Sequence, residues 1–217
     1  MTDIARSVVD VAQTMEREGL VVGTAGNVSG RLADGTICLT PSSVPYGDIT
    51  VDGLAVCEVD GTHVAGSGKP SSEKAMHLSC YAAFPEVGGV VHCHPRYGSM
   101  FAVAHEPIPA VIEEVIIYVG GEVPVAEYAT TGTAELAAEV VRHLATRSAV
   151  LMANHGLLCV GRSPADALHT ALVVEQAANI VHGARVLGRV VPLPVEISEG
   201  FGGYYGLIRN GWSDDAG

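Results

Sequence analysis

His92-Cys93-His94 is the sharpest chemical feature of the sequence. On a β-strand, side chains two apart share a face, so both imidazoles converge while Cys93 points away. Two converging imidazoles are half of a transition-metal site. Nine histidines in 217 residues make a chance His-X-His expected roughly 0.4 times, so the pair alone is a weak signal. Its setting strengthens it, because it ends an apolar strand directly before Pro95, where sites gather. His155 interrupts the apolar run 150–160 within Asn154-His155-Gly156. An imidazole there costs burial energy unless it finds a partner. It is either a satisfied core or turn histidine or a third ligand, and three neutral histidines with one open position make a catalytic zinc pattern.

Ser71-Ser72-Glu73 reads in two ways. Structurally it is a helix N-cap followed by a first-turn acid. Functionally, hydroxyls and amides at a helix N-terminus bind phosphate, and Glu73 beside them would serve as an acid/base. The loop Gly23-Thr24-Ala25-Gly26-Asn27 offers backbone amides as a second anion-binding candidate, although it is neither GxGxxG nor a P-loop. Thr40-Pro41-Ser42-Ser43 supplies further hydroxyls, or a plain turn. The remaining histidines are expected to be structural: His77 and His169 within helices, and His63, His105, His143 and His182 at the surface or its boundary.

These residues need elements to hold them. Ile4, Val8, Val11 and Met15 fall at helical spacing, with Gly19 placed as a terminating glycine. Hairpins are expected around Asp34-Gly35 and Asp60-Gly61. A helix is expected from Pro70 to about Phe84 with Ser71 or Ser72 as its N-cap, then a buried strand over 87–94 and a helix over 96–103. Segments 111–118 and 123–128 read as strands, 133–146 as a helix capped by Thr131 or Thr133, and 149–160 as two strands broken at His155. A long helix starts at Pro164 and runs to about Leu187, and a loose Gly/Tyr tail follows Pro192, with mobility expected from about residue 196. No repeat or linker composition appears, so residues 1–217 read as one α/β domain. Hairpins mixed with helix-flanked strands favour a central, mostly antiparallel, mixed sheet flanked by helices over a doubly wound parallel one.

Composition narrows the function. The net charge of −12, with 24 acids against 12 basic residues, is a poor match to nucleic acid or to an anionic membrane surface. No apolar stretch reaches the length of a membrane span, and the N-terminal helix has no signal-peptide pattern. Five cysteines, none in CxxC spacing, suit a reducing, cytoplasmic compartment. Only Lys69 and Lys74 are lysines, which leaves little room for Schiff-base chemistry.

Gly23-Thr-Ala-Gly-Asn-Val-Ser29, Thr40-Pro-Ser-Ser-Val-Pro-Tyr46, Lys69-Pro-Ser-Ser-Glu73, Val91-His-Cys-His-Pro95 and Asn154-His-Gly156 occur in this order. Together they closely resemble the class II aldolase/adducin family over nearly the whole chain. The resemblance implies that His92, His94 and His155 bind zinc, with Mn²⁺, Fe²⁺ or Co²⁺ as alternatives at such a site. It implies that Glu73 is the catalytic carboxylate and a metal ligand when substrate is absent. Thr24, Gly26, Asn27, Ser42, Ser43, Ser71 and Ser72 fall in the segments that hold the substrate phosphate and adjoining oxygens. The implied reaction is reversible cleavage of a ketose 1-phosphate, such as L-fuculose 1-phosphate, to dihydroxyacetone phosphate and an aldehyde. The implied assembly is a homotetramer with sites at subunit interfaces.

The sequence also departs from the family pattern. Where the aldolases place a neighbouring subunit's tyrosine shortly after a Pro-Ala pair, Pro109-Ala110 is followed by Glu113-Glu114, so one of these acids or Tyr118 takes that place. Ser42-Ser43 stands where the aldolases have Thr-Gly. Tyr205-Gly206-Leu207 resembles a C-terminal segment that closes over substrate, which makes Tyr205 a further catalytic candidate. The alternatives on this scaffold are a sugar-phosphate 4-epimerase, a methylthioribulose-phosphate dehydratase and a decarboxylase, all using metal-stabilised enolate chemistry. A non-catalytic adducin-like protein is the remaining one, and it would have no need of three histidines and Glu73.

Overall fold

A computed structural model of the chain describes residues 2–213. One eight-stranded sheet runs through it: β1 (Asn27–Arg31), β2 (Ile37–Leu39), β3 (Ala55–Cys57), β4 (His63–Ala65), β5 (Gly89–Cys93), β6 (Val125–Ala126), β7 (Ala149–Met152) and β8 (Gly156–Gly161). The spatial order is β4-β3-β2-β1-β5-β8-β7-β6, antiparallel throughout except for the parallel pair β6–β7. This is the mixed sheet expected from the hairpin signals. Among the described residues seven α-helices accompany it: α1 (Thr2–Arg17), α2 (Lys74–Ala83), α3 (Arg96–Ala104), α4 (Glu113–Val119), α5 (Ala134–Leu144), α6 (Pro164–Leu187) and α7 (Val195–Asn210).

The strand period of two sorts side chains into two cores. Val91 and Cys93 of β5, with Leu157 and Cys159 of β8, pack beneath α1, α3 and α6. Val90, Leu158 and Val160 point the other way, against Met76 of α2 and Leu136, Val140 and Leu144 of α5. Each such fully buried aliphatic side chain is worth about 1.5–3 kcal/mol relative to exposure. The layers are therefore helix, sheet, helix, and the two-sided burial explains the unbroken apolar strands β7 and β8.

The end signals of two helices are where the sequence places them. Thr133 Oγ1 accepts from the Leu136 N–H to cap α5, and Ser163 Oγ accepts from the Asp166 N–H with Pro164 in the first turn of α6. The N-terminus of α3 has no cap of its own, and Glu175 of α6 accepts from the Tyr97 and Gly98 N–H groups at 2.8–3.0 Å. That carboxylate pins the chain just after His94-Pro95 to α6.

Several local expectations fail. The helix expected from Pro70 begins only at Lys74, with Glu73 at the cap position and no side-chain cap bond there. Ser71 is not the N-cap; its Oγ accepts from the Glu73 N–H in a tight turn instead. The strand expected over 111–118 is helix α4. Its β-branched run misleads, but Val115, Ile116 and Val119 form one buried helical face, Glu113 and Glu114 favour the first turn, and Gly120 closes the helix with φ of 95°. The strand expected over 123–128 shrinks to Val125–Ala126. The loose tail from Pro192 is helix α7 from Val195, packed against α4. Its glycines are outweighed by Tyr205 and Arg209, which bury together, and Gly120 leaves room for the Tyr205 ring where a Cβ would come within 2.5 Å. Residues 214–217 of that tail lie outside the described residues.

Candidate active site

The centre of the sheet assembles the chemistry. Asn27 of β1 lies opposite His92 of β5 in the antiparallel register, and β8 enters from the turn that carries His155. The ligating atoms of His92, His94 and His155 lie within 4.8 Å of one another. His92 Nδ1 lies 2.9 Å from the Leu157 carbonyl, which can only accept, so Nδ1 carries the proton and Nε2 presents a lone pair. That lone pair faces His94 Nε2 at 3.1 Å and Glu73 Oε2 at 3.4 Å, while Glu73 Oε1 stands 3.2 Å from His155 Nε2. Two donor atoms bound to one tetrahedral ion at ~2.0–2.2 Å stand roughly 3.3–3.6 Å apart. The three closest pairs, at 3.1–3.4 Å, come near that spacing. Glu73 Oε1 and His155 Nδ1 are buried without a hydrogen-bond partner, a cost that a cation beside Glu73 would relieve. The residues fit a divalent transition metal.

Burial pushes His92 down to about 3, with the nearby Glu73 carboxylate opposing, and burial also lowers His94, so both rings are neutral, the form in which an imidazole can bind a metal. Burial alone would raise the Glu73 carboxyl. The imidazoles of His155 and His92 and the N–H of Asn27 outweigh it and hold the group well below the usual carboxylate range. Asn27 Nδ2 donates to Glu73 Oε2 at 2.8 Å, which fixes one oxygen of the carboxylate.

Above this cluster opens a cavity of about 390 Å³, lined by Thr24, Gly26, Asn27, Ser42, Ser43, Ser71, Ser72, Glu73, His94 and His155 among others. All seven residues expected at a phosphate subsite meet in it with Glu73. No lysine lines it; Lys74 instead donates to the Gly61 carbonyl at 2.9 Å. Gly26 adopts φ of 84°, and a Cβ there would approach the His92 carbonyl oxygen and Val21 Cγ1 to 2.8 Å. It is glycine because the loop must pass directly over the β5 wall. Ser43 also sits in the left-handed region, at φ of 62°, an uncommon conformation of the kind that gathers at ligand clamps.

The family is settled by similarity on top of this geometry. Residues 6–182 match the Class II Aldolase and Adducin N-terminal domain. The chain belongs to that family. It is 35% identical over 192 residues to an L-fuculose phosphate aldolase of Escherichia coli O6:H1, covering 88% of this chain and 87% of the relative. It is equally 35% identical over 176 residues to a 5-methylthioribulose-1-phosphate/5-deoxyribulose-1-phosphate aldolase of Rhodospirillum rubrum, covering 81% and 79%. Among solved structures, an L-fuculose 1-phosphate aldolase superposes with a TM-score of 0.89 at 32% identity, covering 95% of this chain and 97% of that one. This class II aldolase is therefore a lyase of a metal-dependent class.

Four candidates from the sequence stay outside the cavity of their own chain. Glu113 and Glu114 lie exposed on the first turn of α4. Tyr205 is buried, its hydroxyl bonded to Ser148 Oγ at 2.9 Å and Arg209 Nη1 at 3.0 Å. Tyr118 packs edge-on against His169 and borders a separate cavity with Tyr205. Conversely, Thr131 lines the active-site cavity, where the sequence suggested only a helix cap. His77, expected to be structural, is fully buried and hydrogen-bonded to Asn27. Its one sequence signal is a polar ring on the helix that follows Glu73.

Proposed function

We propose that this enzyme cleaves a ketose 1-phosphate reversibly to dihydroxyacetone phosphate and an aldehyde, using zinc. The observation that carries the reading is a single cavity in which Glu73 and the histidine cluster meet a hydroxyl- and amide-rich loop, without a lysine. When bound, the metal ion supplies Lewis acidity that stabilises the charge left as the carbon–carbon bond breaks. Ser42, Ser43, Ser71 and Ser72 and the amides of the 23–27 loop hold the phosphate, which aligns the reacting carbons. In the synthetic direction, the ionised Glu73 takes the proton from the carbon of dihydroxyacetone phosphate that forms the new bond; in cleavage it returns it. Relatives named for L-fuculose phosphate and for 5-methylthioribulose and 5-deoxyribulose 1-phosphates share the dihydroxyacetone phosphate half and differ in the aldehyde. L-Fuculose 1-phosphate is the first substrate to test.

The proposal extends to a homotetramer in the cytoplasm. Glu113 and Glu114, exposed on α4 and away from their own cavity, would serve a neighbouring subunit's site in place of the family tyrosine. A catalytic part for Tyr205 requires its hydroxyl to leave Ser148 and Arg209. Five unpaired, buried cysteines suit a reducing compartment, and no helix among the described residues is long and apolar enough to cross a membrane. The deciding experiment incubates zinc-loaded enzyme with L-fuculose 1-phosphate, L-rhamnulose 1-phosphate and 5-deoxyribulose 1-phosphate. Release of dihydroxyacetone phosphate from one of them supports aldol cleavage; release from none rejects it in favour of the epimerase, dehydratase or decarboxylase alternatives.

A further inference from the structure

Behind Glu73 a line of polar side chains runs into the core between β1 and α2. Asn27 and Ser29, two apart on β1, face His77 and Tyr81, one turn apart on α2. All four are buried, Ser29 and His77 completely. Their contacts form an unbroken series: Tyr81 OH to Ser29 Oγ at 2.9 Å, Ser29 Oγ to His77 Nδ1 at 2.7 Å, His77 Nε2 to Asn27 Oδ1, and Asn27 Nδ2 to Glu73 Oε2.

The direction of every bond follows from the last one. An ionised carboxylate only accepts, so Asn27 must turn its amide nitrogen to Glu73 and its carbonyl oxygen to His77. That oxygen also only accepts, so His77 must carry its proton on Nε2. The bare Nδ1 then accepts from Ser29, whose oxygen accepts from Tyr81. Burial lowers His77 to about 4 and raises Tyr81, so the ring stays neutral and the phenol stays protonated. At the far end Arg31 fixes the tyrosine, its guanidinium over the ring at 4.9 Å and Nη2 donating to the Tyr81 carbonyl at 2.9 Å. Hydrogen bonds aligned head to tail polarise one another, and all of these point at Glu73.

We propose that His77, with Ser29 and Tyr81 behind it, is a positioning residue that acts through Asn27 to anchor Glu73 Oε2 and leave Oε1 as the oxygen that transfers the proton. The asymmetry is already visible. Oε2 receives the Asn27 N–H, whereas Oε1 has no hydrogen bond and stands beside His155. A Glu73 free to rotate would present either oxygen and lose the alignment that proton transfer needs. The inference rests on the aldolase reading for its kinetic consequence, and on nothing but the hydrogen-bond directions for its structural one.

Two measurements test it. Long-range ¹H–¹⁵N correlation spectra of histidine-labelled enzyme, metal-free and zinc-loaded, should show His77 as the Nε2–H tautomer in both; an Nδ1–H tautomer overturns the series. His77→Gln places an amide nitrogen near the Nε2 position and keeps the donor to Asn27, whereas the shorter His77→Asn ends near Nδ1 and loses it. His77→Asn should lower kcat on L-fuculose 1-phosphate roughly 10- to 100-fold, as for other groups that orient a metal-site carboxylate. KM and zinc content should hold within about twofold, and His77→Gln should recover most of the rate. Equal loss in both variants, or an effect confined to KM, overturns the proposal. Should His77→Asn fail to fold, Tyr81→Phe removes only the terminal donor and should lower kcat about threefold with KM unchanged; an unchanged kcat counts against the series. If wild-type enzyme released no dihydroxyacetone phosphate, the aldolase reading would fall, while the tautomer would still decide the hydrogen-bond directions.

Discussion

Asn27, His92 and His155 sit where main-chain ladders cross the middle of the sheet, with Glu73 tied to Asn27 beside them, whereas Glu113, Glu114 and Tyr205 sit on two helices that hold each other at its margin. The first group is fixed by register. With β1 paired to β5 and β5 to β8, Asn27 must face His92, and the β7–β8 turn must deliver His155 beside them. The second group is held mostly by side chains: the Tyr205 ring sits on Gly120, its hydroxyl bonds Ser148 and Arg209, and Arg209 stacks over Phe84 and Trp212. Geometry set by backbone hydrogen bonds tolerates little movement, whereas helices held by side chains shift more readily. On the proposed function, metal and proton chemistry belong to the rigid wall, and any part played by the margin is exerted away from this cavity.

The largest effect should come from the wall. Glu73→Gln should lower turnover on the order of 10³-fold while zinc content by metal analysis stays near that of wild type. Retained activity would remove Glu73 from the proton-transfer role.

Acid should next distinguish the wall from the margin. His77 is held at about 4 in the folded protein, below its ordinary 6.5, by burial. Its neutral form therefore favours folding, fully above pH 6.5, and the benefit is lost as pH falls toward 4, where the unfolded chain takes up the proton first. This one group accounts for roughly 3 kcal/mol across that window. The thermal midpoint of wild type should fall from pH 6.5 to 4, and that of His77→Gln less steeply; parallel curves would mean that His77 does not titrate as its burial requires.

The margin should respond more mildly. Glu113→Gln or Glu114→Gln should reduce turnover on the order of tenfold at unchanged metal content if an acid replaces the family tyrosine. No change in either variant would leave Tyr118 as the candidate. Tyr205→Phe removes hydrogen bonds to Ser148 and Arg209 and should cost about 1 kcal/mol of stability, read from denaturant midpoints. An accompanying collapse of kcat would show that the margin takes part in chemistry after all.

The same division governs what could be read from the sequence. Strand period placed His92 and His94 on one face, and the break at Asn154-His155-Gly156 marked a hairpin, because those local patterns are enforced by the ladders around them. The resemblance of the five motifs supplied the residues that line the cavity. At the margin, the β-branched residues Val115, Ile116 and Ile117 suggested a strand and the glycines of 200–206 a loose tail, since the deciding contacts between α4 and α7 span about ninety residues of sequence. His77 escaped for a related reason: its partners Asn27 and Ser29 are separated from it by about fifty residues.

The proposed metal centre is tested most directly by stripping the enzyme of metal and titrating zinc back while following dihydroxyacetone phosphate release from L-fuculose 1-phosphate or whichever of the tested ketose 1-phosphates serves as substrate. Three histidines and Glu73 converging on one point require activity to rise linearly and level off at one zinc ion per chain. Undiminished turnover in the stripped enzyme would contradict the metal-dependent site.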